Sequence, residues 1–121
     1  MNHARHSTSD DLVIVENAQG RSCVVIVCEH ASCYIPDAYN SLGLAADALH
    51  SHAAWDPGAL GVARGMSAQL DAILVASGVS RLIYDCNRPP TSVDAMPAQS
   101  ETIKVPGNVG LTAEQRLERA N

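Results

Sequence analysis

At 121 residues the chain has the length of one domain, and a domain of this size buries roughly two thirds of the surface its unfolded chain exposes. It is 46% apolar yet has no Phe, one Trp and three Tyr, so Ala, Val, Leu and Ile must fill the core through close approach of backbone elements. A net charge of −5, with only eight Lys and Arg along the whole chain, argues against nucleic acid or an acidic membrane as partner and favours a small molecule or another protein.

Residues 1 to 10, MNHARHSTSD, are polar and are expected to be disordered, with the structured domain spanning 11–121. They lack the apolar stretch of a signal peptide, and no run approaches the ~18 apolar residues of a membrane span, so a cytoplasmic protein is expected. DLVIVEN and SCVVIVC are two runs rich in β-branched residues separated by the turn-forming AQGR, and both read as strands. The second is apolar on both faces, as in a sheet covered on both sides. LAADALHSHAAW offers a short helix.

Asp56-Pro57 opens a clearer one, with Asp56 as N-cap and Pro57 at a position that needs no donor. Ala59, Val62, Ala63, Met66 and Leu70 predict its apolar face. AILVAS and SRLIYDC read as two further strands divided by Gly78. Residues 89 to 110 carry four of the six prolines without periodicity and predict a long loop. Thr112 and Gln115 form a capping-box pattern that predicts a final helix. The order of elements predicts an α/β fold with a mostly parallel or mixed sheet and flanking helices.

Four cysteines, Cys23, Cys28, Cys33 and Cys86, contain no C-x-x-C pair. They are expected as reduced thiols that mostly fill the core, rather than as disulfides or ligands of a structural metal.

The polar residues gather where strands end, and open α/β sheets bind ligands outside the carboxyl ends of their strands. Glu29 and His30 end one strand, Asp85, Asn87 and Arg88 end another, and His50, His52 and Asp56 precede the main helix. Imidazole with carboxylate suits a divalent metal such as zinc, and the planar fork of Arg88 suits a carboxylate. Each residue has a plainer reading as well. His30 also reads as a hydrogen-bonded surface histidine, Asp56 as a helix cap, His50 and His52 as solvated side chains, and Asp85 with Arg88 as a structural ion pair.

CEHAS followed by YIP, then HAAWDPGALGVA, SRLIYDCNRPP and the trailing SE…VPGN, in this order, resemble the N-formylglutamate amidohydrolase family from about Val24 to Asn121. The resemblance implies a zinc-dependent hydrolase with an α/β, phosphorylase/hydrolase-like fold similar to the zinc carboxypeptidases. Such an enzyme releases formate from N-formyl-L-glutamate or a related N-acyl amino acid. Carried over by position, His30 and Asp56 look like metal ligands, while Asp85, Asn87 and Arg88 resemble the D-x-N-R stretch that holds a substrate carboxylate. Glu29 is offered as general base, and His52 and Ser32 as partners that orient the ligands.

Two departures matter. Cys33 stands where the family is expected to prefer Asn, and the family's domain is longer, so this chain corresponds to its N-terminal half. A third metal ligand and a catalytic carboxylate are then expected from the other half. The alternatives are an inactive fragment, a carboxylate-binding module without chemistry, or a chain that needs self-association or a partner to fold.

Overall fold

A computed structural model describes residues 12–121, so the expectation of a disordered tail over residues 1 to 10 lies outside the described residues. Three short strands form a mixed sheet in the order β1-β3-β2: β1 Val13–Glu16, β2 Val25–Cys28 and β3 Ile73–Ser77. Central β3 pairs antiparallel with β1 and parallel with β2, setting Val15 and Val27 on either side of Val75. The crossover from β2 to β3 contains α1, Ala46–Leu49, and α2, Ala59–Leu70. This is the mixed α/β sheet with flanking helices that the order of elements predicts.

Alternation along the strands divides the sheet into unlike faces. Ile14, Ile26, Cys28, Leu74 and Ala76 point to one side and join Ala31, Ala63 and Ala72 in a core that α2 covers, with Ala59 and Leu60 packed against it. Leu74 is fully buried there, a burial worth about 1.5–3 kcal/mol. Val13, Val15, Val25 and Val27 point the other way and are largely exposed. The expectation that the second strand is covered on both sides is therefore corrected: only one face of β2 is covered among the described residues.

The face that α2 turns to the sheet also differs from the predicted one. Ala59, Leu60, Ala63 and Ser67 approach the strands, while Val62, Met66 and Leu70 are exposed. Small side chains let the helix come close, and the Ser67 hydroxyl donates to the Ala72 carbonyl at 2.6 Å, tying the helix end to β3. Asp56 does not cap α2. Left-handed Gly58, with φ 88°, is the N-cap, and the Asp56 side chain is engaged elsewhere. At the other end Asp71 adopts φ 51°, and its carboxylate accepts from the Asn17 side chain at 3.1 Å and the Arg21 N–H at 3.2 Å. The link between β1 and β2 is thus fastened to the end of α2.

The run Ser80 to Cys86 forms turns rather than a strand. Ser80 is the cause: its hydroxyl donates to the Ala54 carbonyl at 2.7 Å and accepts from the Leu82 N–H at 3.1 Å, while the Ile83 N–H returns to the Ser80 carbonyl. A local hydroxyl bond of this kind competes with a sheet ladder. The apolar residues of the run are still buried, Leu82 and Ile83 joining Leu42, Ala54 and Val105 in a second core made by loops.

The long loop contains a hairpin of two-residue strands, β4 Gln99–Ser100 and β5 Ile103–Lys104. It leads to α3, Ala113–Ala120, whose capping box between Thr112 and Gln115 is formed in both directions. Arg119 anchors α3. Its guanidinium donates to the buried Asn108 side chain at 2.6 Å and to the Ile83 carbonyl at 3.1 Å, and lies 5.0 Å from the centre of the Tyr39 ring. The turn before it requires Gly107, because a Cβ there would stand 2.7 Å from the Leu42 Cα. Leu42 cannot easily yield, being buried in a left-handed stretch, Asn40 to Leu42, with φ near 50° throughout.

Gly107→Ala is expected to lower the unfolding free energy by about 1–3 kcal/mol in urea denaturation. An unchanged midpoint would show that the Gly107 contact with Leu42 is not a tight one.

Candidate histidine and carboxylate site

β2 ends at Cys28, and Glu29 and His30 turn away from the strand. The His30 carbonyl accepts the Asp56 N–H at 2.9 Å, so the strand end and the approach to α2 are stitched together by backbone. Two further bonds bring in the third segment: the Ser80 N–H donates to the Tyr34 carbonyl at 2.7 Å, and the Arg81 N–H to Ala54 at 3.2 Å.

The His30 ring sits where the three segments meet. Its Nδ1 lies 3.0 Å from Asp56 Oδ2 and its Nε2 lies 2.7 Å from Asp85 Oδ1. Asp85 is buried, and the same oxygen accepts the Asn87 N–H at 3.0 Å. The Arg88 N–H then closes a turn on the Asp85 carbonyl at 3.0 Å. Asp85 therefore holds both the imidazole and the turn that presents Asn87 and Arg88. It was expected to bind substrate; the structure turns its carboxylate inward, and Asn87 and Arg88 are the exposed members.

Two residues that the sequence left unremarked complete the arrangement. Arg81 donates from Nη1 to Asp56 Oδ1 at 3.1 Å, so one oxygen of that carboxylate faces a guanidinium and the other the imidazole. A single cation inside an apolar run is the signal that could have found it, since such a charge needs a partner. Asp94 meets the Arg88 guanidinium at 3.3 Å; a bond from Ser92 and, less strongly, Arg88 hold the Asp94 carboxyl below the usual carboxylate range.

Other expected residues are not brought to His30. His52 pairs through Nε2 with Glu101 at 2.8 Å on the exposed surface, which corrects its expected role of orienting a ligand. The Ser32 hydroxyl accepts the Tyr34 N–H at 3.0 Å and shapes the turn. Glu29 lines a cleft with Val27, Val75 and Cys86 on the open side of the sheet.

The donor types suit a metal. A neutral imidazole has one N–H, so with Asp85 accepting from Nε2, the Nδ1 lone pair confronts an anionic Asp56 oxygen. That nitrogen and that oxygen are the kinds of donor a divalent ion such as zinc takes. A carboxylate on the far ring nitrogen is also the usual way a ligating histidine is oriented. The two aspartates lie on opposite ring nitrogens, however, and among the described residues no three His, Cys, Asp or Glu side chains converge on one ion.

Fold and site together define an α/β domain whose polar machinery lies beyond the carboxyl ends of parallel strands, as in enzymes of small molecules. The sequence model of the family described as FGase, N-formylglutamate amidohydrolase, matches residues 22–120, and the chain belongs to that family. The crystal structure of gene product Atu2144 from Agrobacterium tumefaciens superposes with a TM-score of 0.88 at 55% identity, covering 90% of this chain. The match spans 43% of the Agrobacterium chain, so this chain covers less than half of that relative. No curated protein matches in sequence. No helix among the described residues is long and apolar enough to cross a membrane.

All four cysteines are free thiols; Cys28 is buried in the core and Cys33 packs partly against the second one, while Cys23 and Cys86 are exposed, which corrects the expectation that most fill the core. Cys33 lies 3.8 Å from His50 Nδ1. Burial, then the charges of Glu29 and Asp56, push the Cys28 thiol up. Burial is also the main cause at Cys86, with Asp85 and Glu29 adding to it. A raised thiol holds less thiolate at a given pH. Alkylation followed by mass spectrometry at pH 7–8 is expected to modify Cys23 first and Cys86 later, with the rise in Cys86 reactivity displaced to higher pH. Cys86 reacting as fast as Cys23 at pH 7 would contradict a Cys86 thiol raised first by burial and then by Asp85 and Glu29.

Proposed function

We propose that this chain supplies the histidine and carboxylate-anchoring part of an amidohydrolase that cleaves the formyl amide of N-formyl-L-glutamate or a related N-acyl amino acid, giving formate and the free amino acid. One observation carries the reading: Asp85 fixes, through a single oxygen, both the His30 ring and the Asn87-Arg88 turn. The reacting centre and the substrate anchor are thereby held in a constant relation, which is what positioning an amide for attack demands.

Zinc or another divalent ion would be held by His30 and Asp56, and would supply activation of the attacking water and polarisation of the formyl carbonyl. Asp85 keeps the imidazole oriented, and Arg81 keeps the Asp56 carboxylate in place. The Arg88 guanidinium receives the substrate carboxylate in competition with Asp94, and Asn87 adds a hydrogen bond. Glu29 stays this chain's candidate for the general base on the family resemblance, as the carboxylate that ends β2 next to His30 in sequence, although its side chain lines the cleft on the open side of the sheet. His30 and Asp56 by themselves leave the coordination of such an ion incomplete among the described residues.

A second reading, a carboxylate-binding module without chemistry, is supported by the Asp85-to-Arg88 turn, which this chain forms from its own residues.

Formate release from N-formylglutamate is expected to vanish on chelation and return with zinc; release unchanged by chelator would refute the metal reading. Calorimetric binding of N-formylglutamate without any formate release would favour the binding module. Asp85→Asn is expected to weaken zinc retention, read by competition with a chromogenic chelator, by about 10–100-fold. Arg88→Ala should instead weaken N-formylglutamate binding while leaving zinc retention unchanged; a loss of zinc in that variant would count against a separate substrate anchor.

A further inference from the structure

The anchor proposed for the substrate carboxylate is already engaged. Arg88 Nε stands 3.3 Å from Asp94 Oδ2, and the other oxygen of that carboxylate, Oδ1, accepts the Ser92 hydroxyl. Both side chains of the pair are about half exposed, and an exposed ion pair ordinarily contributes little to stability. What distinguishes this one is how firmly its carboxylate is placed.

The turn that carries Asp94 is fixed from three directions. The Ala95 carbonyl accepts the Asp85 N–H at 2.8 Å, while the Arg88 N–H donates to the Asp85 carbonyl, so both members of the pair hang from the same residue. From α3, Arg116 Nη2 donates to the Ser92 carbonyl at 2.6 Å and to the Pro90 carbonyl at 3.3 Å. Ala95 and Met96, which follow Asp94 directly, are buried. A loop held in this way keeps the carboxylate in front of the guanidinium.

We infer that Asp94 is a resident carboxylate on the substrate anchor: it occupies Arg88 when no substrate is bound, is displaced by the substrate's own carboxylate, and thereby sets the affinity of the anchor. The inference rests on the reading of Arg88 as that anchor.

The contact is one that a ligand can displace. At 3.3 Å it is longer than the ~2.7–2.9 Å of a charge-assisted hydrogen bond, and a guanidinium fork can donate two such bonds to one carboxylate. A ligand carboxylate that meets the fork squarely, with Asn87 beside it, gains more than Asp94 gives up. Ser92 supports the exchange, because it retains Oδ1 when Oδ2 is released and so keeps the displaced carboxylate close by. The same bond, with a smaller contribution from Arg88, holds the Asp94 carboxyl below the usual range, so the competitor stays charged around neutral pH. A purely structural role is the poorer account: the loop is already closed by the bonds of the Arg88 N–H to Asp85 and the Ser92 N–H to Pro89, neither of which needs the ion pair.

The test is an NMR titration of the 121-residue chain with N-formyl-L-glutamate, read at the Asn87 backbone N–H, in the wild type, Asp94→Asn, Arg88→Ala and the double variant. Asp94→Asn is expected to lower Kd by about 2–5-fold, the range of an exposed ion pair, while the same substitution made on Arg88→Ala changes Kd little. An equal gain in both backgrounds would make Asp94 a remote repelling charge and overturn the inference, as would a Kd left unchanged or raised by Asp94→Asn. In those cases weaker binding by Arg88→Ala would leave the anchor reading standing. If Arg88→Ala binds as tightly as the wild type, or if the ligand shifts the Asn87 signal in none of the four proteins, the anchor reading itself falls and the inference falls with it.

Discussion

The His30 ring is the constraint around which the chain is organised. Three segments far apart in sequence, ending in His30, Asp56 and Asp85, are held together by one imidazole with a carboxylate at each nitrogen. A hydrogen bond from the ring to a carboxylate contributes about 1.5–3 kcal/mol, but the larger effect is what the loss of the ring leaves behind. Asp85 is buried, so without His30 its carboxylate would keep only the Asn87 N–H. Asp56 would face Arg81 alone. The interaction therefore sets the path of the loops as well as the geometry of the site, and the second core of Leu42, Ala54, Leu82, Ile83 and Val105 forms beside it.

The two faces of the sheet tell a complementary story. On one, alanine, serine and leucine allow α2 to lie close to the strands. On the other, the valines of β1 and β2 have no counterpart among the described residues. A small core of this type is possible without phenylalanine because backbone elements approach closely, as Gly107 does to Leu42. It also means that few large side chains are available to close the second face.

Much of the fold was legible in the sequence because its signals are local. β-branched runs marked β1, β2 and β3, and Thr112 with Gln115 marked the start of α3. The run from Ser80 to Cys86 carried the same β-branched signal and failed, since the Ser80 hydroxyl offered the backbone a turn and the apolar residues found burial among loops. Periodicity placed α2 but chose the wrong stripe. It ranks side chains by hydrophobicity, whereas the helix came to rest on its smallest ones.

For the site, the residue types at the strand ends and the order of four motifs were enough to single out His30, Asp56, Asp85, Asn87 and Arg88 and to indicate the family. What no linear reading distinguishes is how the work is divided among them. Asp56 is a reasonable helix cap until Gly58 takes that place and Arg81 draws the carboxylate aside. His52 is as plausible a partner of the site as Asp85 until its ring meets Glu101. The sequence by itself determined the three strands of the main sheet, the capped final helix and most of the polar residues at the site, all properties of neighbouring residues. Only the tertiary structure decided which carboxylates face His30 and which side of the sheet stays open, because those depend on contacts between segments 26 to 55 residues apart.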